Sequence, residues 1–355
     1  MEKRSGRLSR PLGILATADK GDPMRRRDFL KALATPLASA PPLARAQQPI
    51  KKKRIALISP ARPVEGLKTQ PYFRAFLDEL SHRGFVDGEN LIVDLYSGRG
   101  QTGRYAELAR AVVETSPDVV FTSGYPMVAG LKAATTTIPI VVTIDDPVAE
   151  RLASSLARPG TNITGVTVDA GLELYGKRLA LLVEVRPKIS AIAYLSSHEN
   201  WNRPTGDALR QAAQQAKVAL THVDLGNSFN EATYSAAFAW MQNARLDALL
   251  VSDEADHNAN VKTLTKLAAS AQIPTMYPFR DLAVGGGLMA YCIDLLDAFR
   301  YAGGQVAEIL RGENPAEIPF YQPTKFLLVV NTKAAQQIGL EIPPSVLARA
   351  DEVIE

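Results

Sequence analysis

Cysteine, histidine and aromatic residues are scarce in this chain of 355 residues. The single cysteine, Cys292, excludes a disulfide framework, and the four histidines lack the spacing of metal ligands. Aromatic residues make up 7% of the chain and do not alternate with basic residues, which argues against a nucleic-acid surface. Gly285–Gly287 lacks the spacing of a nucleotide-binding loop, and no Gly-x-Ser-x-Gly elbow is present. We therefore expect a protein without metal, cofactor or catalytic residues.

Positive charge is concentrated at the start of the chain. The first 46 residues carry ten Lys or Arg against four Asp or Glu. Subtracting these from the 40 basic and 37 acidic residues of the whole chain leaves 30 and 33, a mildly acidic balance that argues against binding to a phosphate backbone. With 46% hydrophobic and 22% charged residues, the composition is that of a globular protein, and the length predicts two domains.

Residues 1–46 have the layout of an export signal. A basic segment, Arg25–Lys31, precedes a weakly apolar stretch, Ala32–Leu43, and the small–x–small sequence Ala44–Ala46. The basic segment contains a run similar to the twin-arginine consensus, and Met24 is the expected start of translation. We expect cleavage after Ala46 and location in the periplasm, without a lipid anchor because no cysteine follows the cleavage site.

Strands and helices alternate through the rest of the chain. Apolar runs rich in β-branched residues, without polar alternation, predict buried strands of parallel sheets that are covered on both faces by helices. The predicted strands of a first α/β unit are Arg54–Ser59, Leu91–Tyr96, Asp118–Thr122 and Ile138–Thr143. Those of a second unit are Ile189–Leu195, Val218–Val223, Ala248–Val251 and Pro274–Tyr277. The glycines at 285–287 are either a flexible crossing between the units or a simple turn.

Polar residues follow most of these strands. In open parallel sheets, ligands bind beyond the carboxyl ends of the strands. Hydroxyl, carboxylate, aromatic and arginine side chains at these ends suit a small zwitterion, with carboxylates for an ammonium and arginine for a carboxylate. The predicted ligand-binding residues are Ser59, Arg62, Ser123, Gly124, Tyr125, Asp145, Asp146, Asn200, Trp201, Asp253 and Tyr277.

Two acidic groups have other interpretations. Asp145 and Asp146 could bind Mg²⁺ or a substrate ammonium, or Asp146 could cap the helix that follows. Asp253 and His257 could form an acid–base pair, although a solvated or ligand-facing loop is the simpler interpretation. An enzyme that uses one of these pairs is therefore an alternative, although neither pair completes a catalytic constellation.

Several stretches make the chain resemble a known family over nearly all of residues 47–355. It is similar to the ABC transporter substrate-binding proteins of the type I periplasmic-binding fold, the group that includes the TrpX-like tryptophan-binding lipoproteins. The stretches are Phe73–Leu80, Gly84–Asn90, Lys132–Val142, Asp146–Val148, Leu156–Thr167, Gly285–Tyr291, Gln322–Phe326 and Ile342–Ile354.

The resemblance implies two lobes joined by three crossings, with a ligand in the cleft between them. Residues 53–164 and 288–318 would form the first lobe, and 165–287 and 319–355 the second. It also implies a non-enzymatic, monomeric receptor that delivers a small solute to an ABC permease and ATPase; a sensor that docks on a signalling protein is the alternative. Tryptophan itself does not carry over, because the loops at Pro60–Pro63, Ser123–Pro126 and Ser197–Pro204 depart from the family pattern.

Overall fold

A computed structural model describes residues 52–168 and 172–355 of the chain, with the side chains of residues 172 and 173 left out. The predicted signal segment lies outside the described residues. Within the described part of the chain, no helix is long and apolar enough to cross a membrane. The structure is α/β, with two sheets that are each flanked by helices.

The first sheet has five parallel strands in the order β2-β1-β3-β4-β5. Its central strands are buried on both faces, as the non-alternating apolar runs predict. Helix α1 begins at a proline in its first turn and buries Phe73, Phe76 and Leu80. The strands are β1 Lys53–Ser59, β2 Leu91–Ser97, β3 Val119–Ser123, β4 Ile140–Ile144 and β5 Ile163–Thr167, and the helices are α1 Pro71–His82, α2 Tyr105–Glu114 and α3 Tyr125–Ala134.

The second sheet has seven strands in the order β12-β11-β10-β9-β8-β6-β7. All neighbours are parallel except β10 and β11. The strands are β6 Ala191–Ser196, β7 Ala219–Asp224, β8 Ala248–Val251, β9 Thr275–Tyr277, β10 Met289–Ile293, β11 Phe326–Asn331 and β12 Glu352–Ile354. The helices are α4 Leu172–Val185, α5 His198–Trp201, α6 Pro204–Ala216, α7 Glu231–Asn243, α8 Asp256–Ala259, α9 Val261–Ser270, α10 Arg280–Val284, α12 Thr332–Gln337 and α13 Pro344–Leu347.

The chain passes between the two sheets three times. It crosses between β5 and α4, again at Asp294 after β10, and again between Tyr321 and β11. Helix α11, Leu295–Leu310, belongs to the first lobe, where it packs against α1. Because the chain leaves the second sheet after β10 and returns along β11, these two strands run antiparallel. The predicted two-lobed α/β fold with three crossings is confirmed.

The crossings differ in position from the predicted lobe boundaries. The prediction that 288–318 belongs to the first lobe is wrong for β10, which pairs with β9 and β11 in the second sheet. Gly285–Gly287 is a turn after α10 instead of a crossing, and a Cβ on Gly287 would lie 2.4 Å from the ring of Tyr277. At the other two boundaries, β5 extends to Thr167, and Tyr321 still pairs with Val166 of the first sheet.

Aromatic packing fixes α11 on the first sheet. Phe76 stacks on Phe121 at 4.4 Å between ring centroids, and Phe299 makes edge-on contacts with Phe73 and Phe121. Gly303 lets the helices approach closely, because a Cβ there would lie 2.7 Å from the carbonyl oxygen of Phe76. This packing places one end of α11 at the junction between the lobes.

Candidate ligand-binding cleft

A cleft with about 1010 Å³ of empty space, its open mouth included, lies between the carboxyl ends of the strands of both sheets. The first lobe contributes the residues after β1, β3 and β4, and the second lobe those after β8 and β9. Seven of the predicted residues line it: Ser59, Arg62, Ser123, Gly124, Tyr125, Asp145 and Asp253. These seven residues were predicted from the rule that ligands bind at strand ends, and in the structure they line one cleft.

Four predicted residues do not line the cleft, because each has a role elsewhere. Asp146 caps the following turn, with Oδ1 accepting from the backbone N–H groups of Val148 and Ala149. Asn200 is buried and accepts a hydrogen bond from the hydroxyl of Tyr194. The other two lie in packed surroundings: Trp201 stacks on His222 and Arg210, and Tyr277 is buried in the core of the second lobe.

An aromatic wall lines much of the cleft. It consists of Tyr72, Phe73, Tyr105, Tyr125, Phe279 and Phe299. Tyr72, Phe73, Tyr105 and Phe299 were not predicted, because they lie on helices that tertiary packing brings to the strand ends. Phe279 was not predicted as a binding residue either, although it directly follows β9 and the rule for strand ends applies to it. Such a wall fits the flat or apolar part of a small molecule.

An arginine of the second lobe connects the two lobes. Arg203, at the N-terminus of α6, donates to Glu150 at 2.7 Å and to Asp145 at 3.5 Å, and its guanidinium lies 4.3 Å from the ring centroid of Tyr125. All three partners belong to the first lobe. The side chains of Arg203, Asp145 and Glu150 are 10%, 12% and 7% exposed, so this ion pair is largely shielded from water. Burial raises the pKa of Glu150, and the charge of Arg203 opposes that shift.

Two more contacts join the lobes on another side of the cleft. The hydroxyl of Tyr72 donates to Asp281 of α10, and the guanidinium of Arg62 lies 3.8 Å from the same carboxylate. Burial raises the pKa of the Tyr72 hydroxyl, and the charge of Asp281 adds to the shift. The lobes are thus closed on each other in this structure.

Glu254 is held in place by a chain of hydrogen bonds inside the second lobe. Its carboxylate accepts from the N–H and the hydroxyl of Ser197 and from the hydroxyl of Ser252. Since Ser252 donates to Glu254, its oxygen accepts from Nε2 of His257, whose Nδ1 then accepts from the hydroxyl of Tyr234. Burial lowers the pKa of His257 to about 3, so this histidine is neutral and structural. Burial raises the pKa of Glu254 to about 7 against the effect of its hydrogen bonds.

The segment Gly98–Gly103 between β2 and α2 has the sequence Gly-x-Gly-x-x-Gly of a nucleotide-binding loop. In the structure, the first two glycines serve packing. A Cβ on Gly98 would lie 2.4 Å from the ring of Tyr105, and one on Gly100 would lie 2.9 Å from Oδ1 of Asp256. The carboxylate of Asp256 next to Gly100 would repel a phosphate, so this motif does not form a nucleotide-binding loop.

Comparison with known proteins agrees with this geometry. Residues 58–354 match the family model described as ABC transporter substrate binding protein. A tyrosine-binding protein of Clostridioides difficile is 22% identical over 273 residues, which are 76% of this chain and 76% of that protein.

Solved structures share the fold. The ABC domain in complex with L-Trp from Streptococcus pneumonia has a TM-score of 0.75 at 23% identity, over 85% of this chain and 100% of that chain. A conserved domain protein from Vibrio cholerae has a TM-score of 0.76 at 24% identity, with the same coverage. Because the family model spans nearly the whole described part of the chain, the protein belongs to the ABC transporter substrate-binding protein family.

Proposed function

We propose that this protein binds an amino acid or a closely similar zwitterion in the interlobe cleft and delivers it to an ABC importer. The observation that carries the proposal is the combination of chemical groups within the cleft. The second lobe contributes the carboxylates of Asp253 and Glu254, the first lobe contributes hydroxyl groups and the guanidinium of Arg62, and aromatic rings, most of them from the first lobe, line the space. This combination matches the ammonium, the carboxylate and the apolar side chain of an amino acid.

The ammonium would be held by the second lobe. Asp253 accepts a hydrogen bond from the hydroxyl of Tyr175 at 3.0 Å, and Glu254 is oriented by Ser197 and Ser252. Neither carboxylate forms an ion pair with a described residue, and the charge of Asp253 acts on Arg203 of the same cleft. Because burial raises its pKa to about 7, Glu254 is partly protonated at neutral pH. A bound ammonium would lower this pKa and favour the ionised carboxylate.

The carboxylate would be held by the first lobe. Ser59 and Ser123 line the cleft, and no side chain caps the first turn of α3, which begins at Tyr125 after Gly124. Gly124 has a φ of 77°, a conformation that suits glycine and that lets the chain turn into the helix. Uncapped N–H groups at a helix start attract an anion. Arg62 supplies a positive charge on the same lobe.

Similarity to other family members supports the ligand class. One relative is a tyrosine-binding protein, and one structural neighbour contains L-Trp. At 22% and 23% identity these proteins support an amino acid as the class of ligand but do not select one. The family consists of solute-binding proteins and not enzymes, so we assign no catalytic role to Asp145 and Asp146 or to Asp253 and His257.

Ligand capture would work by hinge closure. A ligand that contacts both lobes stabilises the closed state over the open one by the contacts that only the closed state provides. The three crossing segments would serve as the hinge.

Substrate-binding proteins of this family act outside the cytoplasm. We propose export by the twin-arginine route with cleavage after Ala46, and docking of the closed form on a permease and ATPase complex.

A thermal-shift screen with calorimetric confirmation tests this function. The protein is titrated with the common L-amino acids, aromatic acids, sugars, nucleosides and polyamines, and the bound compound is recovered and identified by mass spectrometry. We expect a dose-dependent rise in melting temperature with amino acids, equivalent to about 2.7 kcal/mol at a hundredfold excess over the dissociation constant, and recovery of the ligand unaltered. Binding of sugars or nucleosides alone would contradict the proposed ligand class, and chemical conversion of the ligand would contradict a receptor.

A further inference from the structure

Two acceptor atoms on the short helix α8 lack a hydrogen-bond donor. Asp256 is only 6% exposed, and its Oδ1 is buried without a hydrogen-bond partner among the described residues. Oδ1 of Asn258, two residues further on, is also buried without a partner there. Both residues line the cleft. Since buried polar atoms are nearly always paired, an unpaired acceptor on each of two cleft-lining residues points to a donor group that enters from the cleft.

Among the described residues, the first lobe supplies no hydrogen-bond donor to Oδ1 of Asp256. The loop opposite approaches closely at Gly100, whose Cβ, if present, would lie 2.9 Å from Oδ1 of Asp256. Tyr105 lies in the same part of the cleft, but its hydroxyl donates to the carbonyl oxygen of Pro60 at 3.0 Å. A hydroxyl has one hydrogen to donate, so Tyr105 cannot also donate to the carboxylate.

The charge around this point is negative. Asp253, Glu254 and Asp256 follow one another closely after β8, and none of the three forms an ion pair with a described residue. Burial raises the pKa of Asp256 to about 6, so the group is still largely ionised at neutral pH. A buried carboxylate without a cation is unfavourable, and a positively charged donor compensates it better than a neutral one.

We propose that Asp256 and Asn258 form a subsite for a second cationic N–H group of the ligand, an ammonium or a guanidinium carried at the end of its side chain. The proposal rests on the proposed function, in which Asp253 and Glu254 hold the α-ammonium. It adds that the ligand is a zwitterion with an extra positive charge. A side chain with an apolar or aromatic body would lie along the aromatic wall and present its charged end to α8.

Matched pairs of probes that differ in one charge test the subsite. The protein is titrated calorimetrically at pH 7.5 with L-arginine and its neutral counterpart L-citrulline. A second pair is 4-aminomethyl-L-phenylalanine and 4-ethyl-L-phenylalanine. We expect the cationic member of at least one pair to bind about tenfold more tightly or better, as for a buried charge-assisted hydrogen bond.

The variant Asp256→Asn should remove this preference. Its shape is unchanged, so the neutral member keeps its affinity within about threefold while the preference falls below about threefold. Asp78→Asn, which removes one negative charge from the exposed side of α1, is the matched control and should leave both affinities unchanged. The subsite is refuted if neither pair shows a preference for the cation, or if Asp256→Asn weakens both members equally.

Agmatine, which is arginine without its carboxylate, separates the two proposals. Binding of agmatine that Asp256→Asn weakens would support the subsite even if no amino acid binds, and only the proposed function would then fail. Binding of amino acids without any preference for the cationic member would overturn the subsite and leave the proposed function in place. Failure of every cationic probe to bind overturns the subsite.

Discussion

At the scale of single residues, the acidic side chains of the cleft differ in how their charge is compensated. Glu254 accepts three hydrogen bonds from Ser197 and Ser252, whereas Asp145 faces the guanidinium of Arg203. Asp256 has an unpaired oxygen and no ion pair with a described residue. Burial of this carboxylate therefore destabilises the folded protein as long as no ligand is bound.

Asp256→Asn should stabilise the ligand-free protein in a pH-dependent way. Burial raises the pKa of this carboxyl from 3.8 to about 6, so the unfolded chain gives up its proton at a lower pH than the folded protein does. Wild-type stability therefore falls as the pH rises from 3.8 to about 6, by up to about 3 kcal/mol. The amide does not titrate, so the difference between variant and wild type should be near zero at pH 3.5 and largest above pH 6.

Thermal unfolding of both proteins across this pH range measures the effect, with Asp78→Asn as the control for loss of one exposed charge. A stabilisation by Asp256→Asn that is the same at pH 3.5 and pH 7.5 would show that ionisation of Asp256 is not its cause.

Residues of the cleft were predictable where they follow a strand directly. Ser59, Ser123 and Asp253 lie at or just after strand ends, so the general rule for open sheets finds them. Trp201 also lies after a strand, but it turns to stack on His222 of the neighbouring strand. The direction of a side chain on a short helix depends on its tertiary neighbours, which a single sequence does not contain.

At the scale of secondary structure, the pair α1 and α11 shapes one side of the cleft. Helix α11 comes from the second crossing, about 220 residues after α1, and it brings Leu295 and Phe299 to the cleft. The lobe boundaries that the resemblance implies, 53–164 with 288–318, place both helices in the first lobe. Their packing against each other could not be predicted, because it depends on side-chain contacts between segments that are far apart in the chain.

Gly303→Ala and Gly304→Ala should have different effects, although the glycines are adjacent in α11. A Cβ at 303 would lie 2.7 Å from the backbone oxygen of Phe76, so the helices must separate, at a cost of about 1–3 kcal/mol. A Cβ at 304 would lie 3.0 Å from the end of the flexible Arg83 side chain, which can move. There the gain in helix propensity, about 1 kcal/mol, should offset the cost.

Chemical denaturation of the two variants measures this difference in the free energy of unfolding. Equal stability of both variants would contradict the close contact between α1 and α11.

At the scale of the whole molecule, the two lobes are held together by few polar contacts. The pair of Arg203 with Asp145 and Glu150 is the most shielded of them, whereas Arg62 and Asp281 are about 30% exposed. When one partner of a shielded pair is removed, the other charge stays buried without a partner in the closed state. In the open state water solvates that charge, so the closed state alone is destabilised. Arg203 should therefore favour closure even without a ligand.

Arg203→Met should shift the ligand-free protein towards the open state by about 3 kcal/mol. Small-angle X-ray scattering measures this as an increase in the radius of gyration. Arg210→Met is the matched control, because Arg210 lies on α6, which Arg203 precedes, and its guanidinium bonds to Trp201 and Asp207 of its own lobe. An unchanged radius of gyration for Arg203→Met would show that other contacts hold the lobes together.

The central claim is that one ligand is held by both lobes within the cleft. Calorimetric titration of three variants with the ligand found by the screen tests it most directly. Tyr125→Ala in the first lobe and Asp253→Asn in the second should each lower the affinity about tenfold or more. Asp146→Asn, next to the cleft residue Asp145 but engaged in a turn, should keep its affinity within about threefold, since the amide oxygen preserves the cap. Full affinity in both cleft variants, or an equal loss in Asp146→Asn, would contradict the claim.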